Sequence, residues 1–311
     1  MNRHRTTLLR GFGWLVLVVS MACLLGGWLG ALHPLGDSLA VFRVPFSGLA
    51  IVAGFALRHD PRAALLGGLA TLALLFNWIG HFPASISSAA AQEDRPLVLY
   101  HQNLLFQNKG NADFIASVLA EAPDMVTLAE VSKANLPVLE GLRAAYPVQH
   151  FCPFRAVGGV AVLTRDSTVL NRVDCQPDLG LALMEVERPE GVMWLAALHL
   201  PWPWPLEQAE HVERVAATLA KARAEAPHPM VLAGDFNAVG WTEALARIAE
   251  AGGMARIGRF AATFDLPPMM YPIGIDHVLA TGGQGEITVM PKYSSDHHGV
   301  LARIRMAREA E

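Results

Sequence analysis

The stretch MVLAGDFNA, Met230 to Ala238, passes within nine residues from an apolar run to acidic and amide side chains. Met230–Ala233 has the pattern of a short strand. Asp235 and Asn237 follow where that pattern ends. They are alternate residues, so in an extended strand end they point to the same side. The arrangement recurs along the chain. Asn103 follows Leu97–Tyr100, Glu130 follows DMVTLA, and His199 follows VMWLAAL. Asp276 precedes HVLA, and Asp296 with His297 stands just before the strand-like Gly299–Ile304. A single acid at a strand end is ordinary, solvated or capping a turn. Six such places together point to a common cleft, because strand ends are where a rigid sheet presents side chains for function.

Gly159–Leu163 and Val192–Leu198 are further strand-like runs, and helical patterns lie between the strands. In Asp113–Ala122 the residues Phe114, Ile115, Val118 and Leu119 form one face, and Leu206–Ala226 is long, amphipathic and charged on its outer side. From Gly159 to Glu187 strands follow one another with no helix between them. That predicts antiparallel hairpins and excludes a simple doubly wound sheet. No internal repeat or low-complexity tract interrupts the pattern.

The N-terminal third is of another kind. Hydrophobic residues make up 52% of the chain and the mean hydropathy is +0.31, with the excess ahead of residue 91. Gly11–Leu32 is 22 residues without a charge, long enough at ~1.5 Å per residue to cross a ~30 Å hydrocarbon core. Ala63–Gly80 is an uncharged run of 18, and Val44–Leu57 is apolar over 14. The middle run reaches spanning length only with Leu39–Arg43 added and Arg43 snorkelling to the interface. The first run is long for a signal-peptide core, and two more follow it. Residues 1–82 are therefore expected to be a membrane anchor of three helices, with a re-entrant middle run and two spans as the alternative. Arg3, Arg5 and Arg10 precede the first span, and Arg58 and Arg62 lie between the second and third. Three spans make both places cytoplasmic and put the rest of the chain outside; two spans reverse that. Pro83–Arg95 (PASISSAAAQEDR) is small, polar and unpatterned, a linker to a domain over residues 96–311.

Six of the 24 basic residues and two of the 28 acids precede Gln92, leaving 18 and 26 beyond it, a formal net of −8. A domain that grips duplex DNA presents a basic face, so this balance disfavours nucleic acid as the main partner. Of the three cysteines, Cys23 lies in the first apolar run. Cys152 and Cys175 match no zinc spacing; they could pair in an oxidising compartment or stand as separate buried thiols.

The polar blocks resemble the endonuclease/exonuclease/phosphatase family. HQNLLFQN carries Asn103, DMVTLAEV carries Glu130, and ALHLPWP carries His199. LAGDFNA carries Asp235 and Asn237, GIDHVLA carries Asp276, and SSDHHGV carries Asp296 and His297. They occur in the family's order. The resemblance implies a four-layer α/β sandwich, two mixed sheets face to face with helices outside, and hydrolysis of phosphate esters with Mg²⁺ or Mn²⁺. It departs from the family pattern at Ala129 (Gln), Gly299 (Pro) and Gly274-Ile275 (Arg). The anchored arrangement is similar to a branch that includes teicoplanin-resistance proteins, and this resemblance makes a lipid-linked phosphate the expected substrate.

A phosphate ester is a poor electrophile, because its negative oxygens repel a nucleophile. Hydrolysis needs a cation on those oxygens, an activated water and help for the leaving oxygen. Glu130 suits a hard ion, with Asn103 assisting and Asp296 ligating directly or through water. Asp235 would orient or deprotonate the water while Asn237 donates to a phosphate oxygen. Asp276 would hold the imidazole of His297, which acts as base or stabilises the transition state. His199 would donate to a phosphate oxygen or to the leaving group. His298 should point away from His297. The aromatic loop of Trp202 and Trp204 among Pro201, Pro203 and Pro205, and Met269-Met270-Tyr271, pack locally or form apolar lips to a lipid. The expected partners are thus a phosphate ester, lipid-linked in the favoured case, and the bilayer of the cytoplasmic membrane. The rivals are a metal-dependent nuclease and a non-catalytic scaffold on the same fold; the second would be favoured by loss of Glu130, Asp235 or His297, and none is missing.

Overall fold

The computed structural model describes residues 2–79, 95–155, 157–268 and 270–306. Of the expected linker, only Arg95 falls among them. The described residues group into two compact units: the N-terminal helices with residues 203–205 and 241–243, and the remainder.

The helical unit runs α1 (Asn2–Gly26), α2 (Leu35–Ala40), α3 (Arg43–Ala56) and α4 (Pro61–Ile79). Among the described residues one helix is long and apolar enough to cross a membrane, α1 over Thr6–Gly26, 21 residues with mean hydropathy 2.1. Helix α3, with 14 residues, and the apolar stretch Pro61–Asn77 of α4 are shorter. At ~1.5 Å per residue α3 spans only ~21 Å, short of a ~30 Å core. The expected three spans are thus one helix of spanning length and two shorter apolar ones. Helices α3 and α4 approach at backbone distance, for a Cβ on Gly54 would meet Gly67 Cα at 2.8 Å. Ala50, Ala53, Ala63 and Ala70 are buried between helices, while Leu15, Val52, Phe55, Leu65, Leu72 and Phe76 are more than half exposed. Leu17, Met21, Leu24 and Leu57 are buried with the alanines, and the unit still leaves many large apolar side chains on its outside.

The second unit begins with β1 (Leu97–Asn103), α5 (Ala112–Glu121), β2 (Met125–Val131), α6 (Pro137–Leu142), β3 (Val148–Cys152) and β4 (Gly159–Thr164). It continues with β5 (Thr168–Arg172), β6 (Leu181–Arg188), β7 (Gly191–His199), α7 (Gln208–Glu225), β8 (Met230–Asp235) and α8 (Glu243–Gly252). The last elements are β9 (Ala255–Arg256), β10 (Phe264–Leu266), β11 (Tyr271–Ile273), β12 (Asp276–Ala280), β13 (Gln284–Val289) and β14 (Val300–Arg305). One sheet has the order β13-β14-β1-β2-β4-β3 and the other β5-β6-β7-β8-β12-β9, with β10 and β11 a separate hairpin. β1 and β2 pair in parallel, as do β7 and β8, and the other pairs are antiparallel, so both sheets are mixed. Of the hairpins expected over Gly159–Glu187, β5 and β6 pair antiparallel, whereas β4 belongs to the other sheet and pairs with β2 and β3.

The strand period of two sorts the core. Leu97, Leu99, Met125, Val160 and Val162 of one sheet meet Met184, Leu195, Ala197, Val231 and Ala233 of the other. Tyr100, Val126, Leu128 and Leu163 pack outward against Phe114 and Val118 of α5 and Val138 and Leu142 of α6. Trp194, Leu198 and Leu232 pack outward against Val215 and Leu219 of α7 and Ile248 of α8. The four-layer α/β sandwich follows from two sheets that are apolar on both faces. Cys152 and Cys175 form a disulfide, S–S 2.04 Å, which selects pairing over separate thiols.

Candidate active site

The inward face of several strands changes from apolar to polar at one end. On β1 the face of Leu97 and Leu99 continues with His101 and Asn103; on β7 that of Leu195 and Ala197 ends in His199; on β8 that of Val231 and Ala233 ends in Asp235. β12 runs the other way and starts with Asp276. Register brings these ends together, since Asp235 lies opposite His199 on one side and Asp276 on the other.

Asp235 and Asp276 are both buried, and His297 stands between them. His297 Nδ1 is 2.9 Å from Asp276 Oδ2, and its Nε2 is 3.7 Å from Asp235 Oδ2. His199 Nε2 approaches Asp235 Oδ2 from the other side at 3.6 Å. Asn103 Nδ2 donates to Asp235 Oδ2 at 3.0 Å and to Glu130 Oε1 at 3.1 Å, joining the two expected metal-side residues to the expected catalytic ones.

Glu130 arrives by a different route from the others. Met125 and Thr127 face inward and Val126 and Leu128 outward, so plain alternation would send Glu130 outward. Pairing with β4 slips between Leu128 and Val131, and Glu130 has φ +58°. This bulge re-aims the side chain over the end of β1, where the Phe106 amide donates to Oε2 at 2.8 Å. A left-handed glutamate is strained and needs its surroundings to hold it. Asn135 Nδ2 donates to the Glu130 carbonyl at 3.0 Å. Gly158, at φ +104°, lies so close that a Cβ there would be 2.8 Å from the Glu130 carbonyl carbon.

Asn237 also departs from expectation. The strand ends at Asp235, Asn237 has φ +45°, and its backbone N–H donates to Asp235 Oδ1 at 2.8 Å. A turn closed by the Asp side chain replaces the extended end that would have set the two side by side. Asn237 Nδ2 donates to the Leu200 carbonyl at 2.8 Å and lies 3.4 Å from His199 Nε2, so the amide meets His199. Asp296 is exposed, and among the described residues its side chain has one hydrogen bond, a long contact from Ser295 Oγ at 3.5 Å. It stands outside the groups that converge within 4.8 Å, Glu130 with His199 and Asp235, and Asp235 with Asp276 and His297. His298 turns away to the Met290 carbonyl, 2.9 Å from Nδ1.

Electrostatics divide the site. Burial raises the Glu130 carboxyl above its ordinary range, against hydrogen bonds from Asn103 and Phe106. Burial likewise raises Asp235, opposed by His297 and helped by Asp276. For Asp276 burial acts in the same sense, but the His297 charge and hydrogen bonds from His101 and His297 outweigh it and hold the group well below the carboxylate range. Burial pulls the His297 imidazole down, yet Asp276 and Asp235 prevail and lift it to about 10. Burial lowers His199, against the pull of Asp235. A cationic His297 therefore lies between an ionised Asp276 and a more basic Asp235.

Residues 101–297 match the model of the Endonuclease/Exonuclease/phosphatase family, well over half of the chain. The chain belongs to this family. As a member it is a metal-dependent hydrolase of phosphate esters. Comparison with curated proteins returns no match. Among solved structures, the chain is similar to a beta toxin from Staphylococcus aureus with bound magnesium ions, at 13% identity and TM-score 0.52, covering 68% of this chain and 100% of that one. D. rerio TDP2 complexed with single strand DNA product gives 17% identity and TM-score 0.52, covering 67% and 98%. The human Nocturnin catalytic domain with bound sulfate gives 17% identity and TM-score 0.50, covering 67% and 93%. At these identities the likeness is one of fold.

The residues of this family member fit a hard divalent ion. Glu130 offers carboxylate oxygens beside the Asn103 amide and the Asp235 carboxylate, and burial leaves Glu130 short of positive charge, so that a cation would favour its ionised form. The cluster of His150, Cys152 and Cys175 is the disulfide with an imidazole next to it and offers no thiolates.

Sequence reasoning passed over several residues. His101, 1% exposed, sits 3.2 Å from Asp276 through Nε2. Gln102 Nε2 donates to the His297 carbonyl at 3.1 Å, and Ser295 Oγ donates to the Asn103 carbonyl at 2.7 Å. His101 had a signal: it lies two residues before Asn103 and so shares its face. Rings line the cleft: Phe154 against His199 at 5.6 Å, Phe264 against His297 at 4.8 Å, and Trp202 against Phe264 at 5.8 Å between centroids.

Proposed function

We propose that this protein is a membrane-tethered, Mg²⁺-dependent phosphoesterase that works outside the cytoplasm on a lipid-linked phosphate or phosphodiester. Residues 1–82 would be the anchor and 96–311 the catalytic domain. The observation that carries the reading is the buried Asp235–His297–Asp276 row beside Glu130 and Asn103.

Glu130 and Asn103, with Asp296 through water, would hold Mg²⁺ or Mn²⁺, which when bound screens the negative phosphate oxygens and favours ionisation of water. Magnesium is the ion present in the beta toxin structure. Asp235, raised by burial, is the better base and would take the proton of the attacking water. His297, lifted to about 10, is charged at neutral pH and is suited to stabilise the extra negative charge of the transition state rather than to accept a proton. His199 Nδ1 is buried without a partner. An orphaned N–H costs more than an orphaned lone pair, so the proton belongs on Nε2, where it can donate a hydrogen bond to a phosphate oxygen or to the leaving oxygen.

Tethering is supported by the large apolar side chains exposed on the helices and by the length of α1. With Arg3, Arg5 and Arg10 ahead of the uncharged run that starts at Gly11, one span or three puts the domain outside. The Cys152–Cys175 disulfide fits an oxidising compartment. A lipid-linked substrate is supported by the aromatic cleft and by exposed Leu206, Phe260 and Met270, and the net −8 disfavours duplex DNA.

The test is a panel of isoprenoid pyrophosphates, phospholipids, and single- and double-stranded DNA, offered to the purified full-length chain in detergent with Mg²⁺, Mn²⁺ or EDTA. Metal-dependent cleavage of a lipid ester is the expected result. Preference for DNA would transfer the site to the nuclease reading, and a folded, metal-loaded protein that cleaves nothing would leave the scaffold reading.

A further inference from the structure

The row of catalytic groups rests on a second imidazole. His101 belongs to β1 in one sheet and Asp276 to β12 in the other, and their contact crosses the gap between the sheets. His101 Nε2 is 3.2 Å from Asp276 Oδ1, while His297 Nδ1 is 2.9 Å from Asp276 Oδ2. Each oxygen of that carboxylate thus faces its own imidazole. On the far side of His101, Nδ1 is 3.0 Å from Thr127 Oγ1, on the neighbouring strand at the paired position. Thr127 is fully buried, and neither its hydroxyl nor His101 is left unpartnered.

Hydrogen-bond capacity sets the direction of the chain. An ionised Asp276 only accepts, so His101 must present N–H at Nε2 and His297 must present N–H at Nδ1. With N–H presented at Nε2, Nδ1 faces Thr127 as the acceptor, and the hydroxyl donates to it. Threonine, branched at Cβ, holds its hydroxyl on few rotamers in a strand. With one oxygen pinned by His101, Asp276 cannot rotate about its χ2, and Oδ2 stays aimed at His297.

We propose that His101, oriented by Thr127, is a positioning residue for phosphoester hydrolysis: it fixes Asp276 and, through it, the imidazole of His297. This rests on the reading of the Asp235–His297–Asp276 row as the hydrolytic centre. Groups that orient metal-bound imidazoles typically cost ~10- to 100-fold in affinity or activity when removed, and the same scale is expected for a group that orients the partner of His297.

The test uses the full-length chain with His101→Leu, His101→Gln and His101→Asn, and Thr127→Val with Thr127→Ser. Gln carries a donor near the place of Nε2 and can still reach Asp276, whereas Asn reaches only as far as Nδ1 and Thr127. Turnover should fall roughly 10- to 100-fold in His101→Leu and His101→Asn, with KM within about 2-fold, and recover in His101→Gln to within about 5-fold of the parent. Thr127→Ser should resemble the parent and Thr127→Val should lose turnover. The Nδ1–H proton of His297, observed by NMR with labelled histidine in the metal-free protein, should shift in Leu and Asn variants and stay in the Gln variant. Parental turnover in a folded His101→Leu protein, or equal behaviour of the Gln and Asn variants, would overturn the proposal. A parent that hydrolyses no ester defeats the proposed function, and the NMR comparison then still decides whether His101 positions His297. If His101→Leu fails to fold, the Gln and Asn pair carries the decision.

Discussion

His297 makes the stability of the metal-free domain depend on pH in a direction that can be worked out beforehand. Its imidazole is raised from 6.5 to about 10 by Asp276 and Asp235. A group raised on folding binds its proton more tightly in the native state. Its contribution is therefore complete below about pH 6.5 and lost as the pH rises through about 10. At ~1.4 kcal/mol per pH unit, the span from pH 7 to 10 is worth at most about 4 kcal/mol, and on the order of 2 kcal/mol once the buried row relaxes. His297 is 4% exposed, so solvent screening removes little of this. The assay is thermal melting of the full-length chain in EDTA at pH 7, 8, 9 and 10, on the parent, His297→Gln and Asp276→Asn. The parent should lose several degrees across the range. Both variants should show a much flatter profile, one lacking the titrating group and the other its main attraction. A parent whose melting temperature is level from pH 7 to 10, or a His297→Gln variant with the parental slope, would refute the charged His297 and with it the assignment of the base to Asp235.

Hydrolysis should disappear in EDTA and return with Mg²⁺ or Mn²⁺; Glu130→Gln should need more metal for the same rate, and parental metal affinity should weaken in acid, since burial raises Glu130. Asp235→Asn should lower single-turnover rates by on the order of 10²-fold or more while leaving the melting temperature nearly unchanged, and full activity in a folded variant would displace Asp235 from the centre. A reporter fused after Glu311 should be active only if it functions outside the cytoplasm; the opposite result would mean a cytosolic active site. Replacing Cys152 and Cys175 by Ser, which opens a loop with a separation of 23 residues, should destabilise the domain by about 3 kcal/mol, read by melting against the oxidised parent.

The order and type of the polar blocks were legible because they sit at the ends of apolar strands, and strand parity is a local property of the chain. Leu97, Leu99, His101 and Asn103 share a face whatever surrounds them, and Val231, Ala233 and Asp235 do likewise. Such runs determine two sheets apolar on both sides, and hence helices outside them. The large apolar residues of the first 79 positions likewise announce a helical unit with an apolar outer surface. Tertiary structure alone decided what parity could not. Glu130 has the outward parity of Val126 and Leu128 and reaches the site only because β2 bulges against β4, with Asn135 and Gly158 holding the left-handed backbone. Asn237 lies beyond the strand, so its partner is chosen by the turn it makes with Asp235. The opposition of Asp235 and Asp276 depends on pairing between strands 41 residues apart in sequence, and the contact of His101 with Asp276 on the packing of one sheet over another. Parity within a strand is covalent geometry, repeated every two residues; register, bulges and the face-to-face approach of sheets are settled only when distant segments bury their apolar sides together.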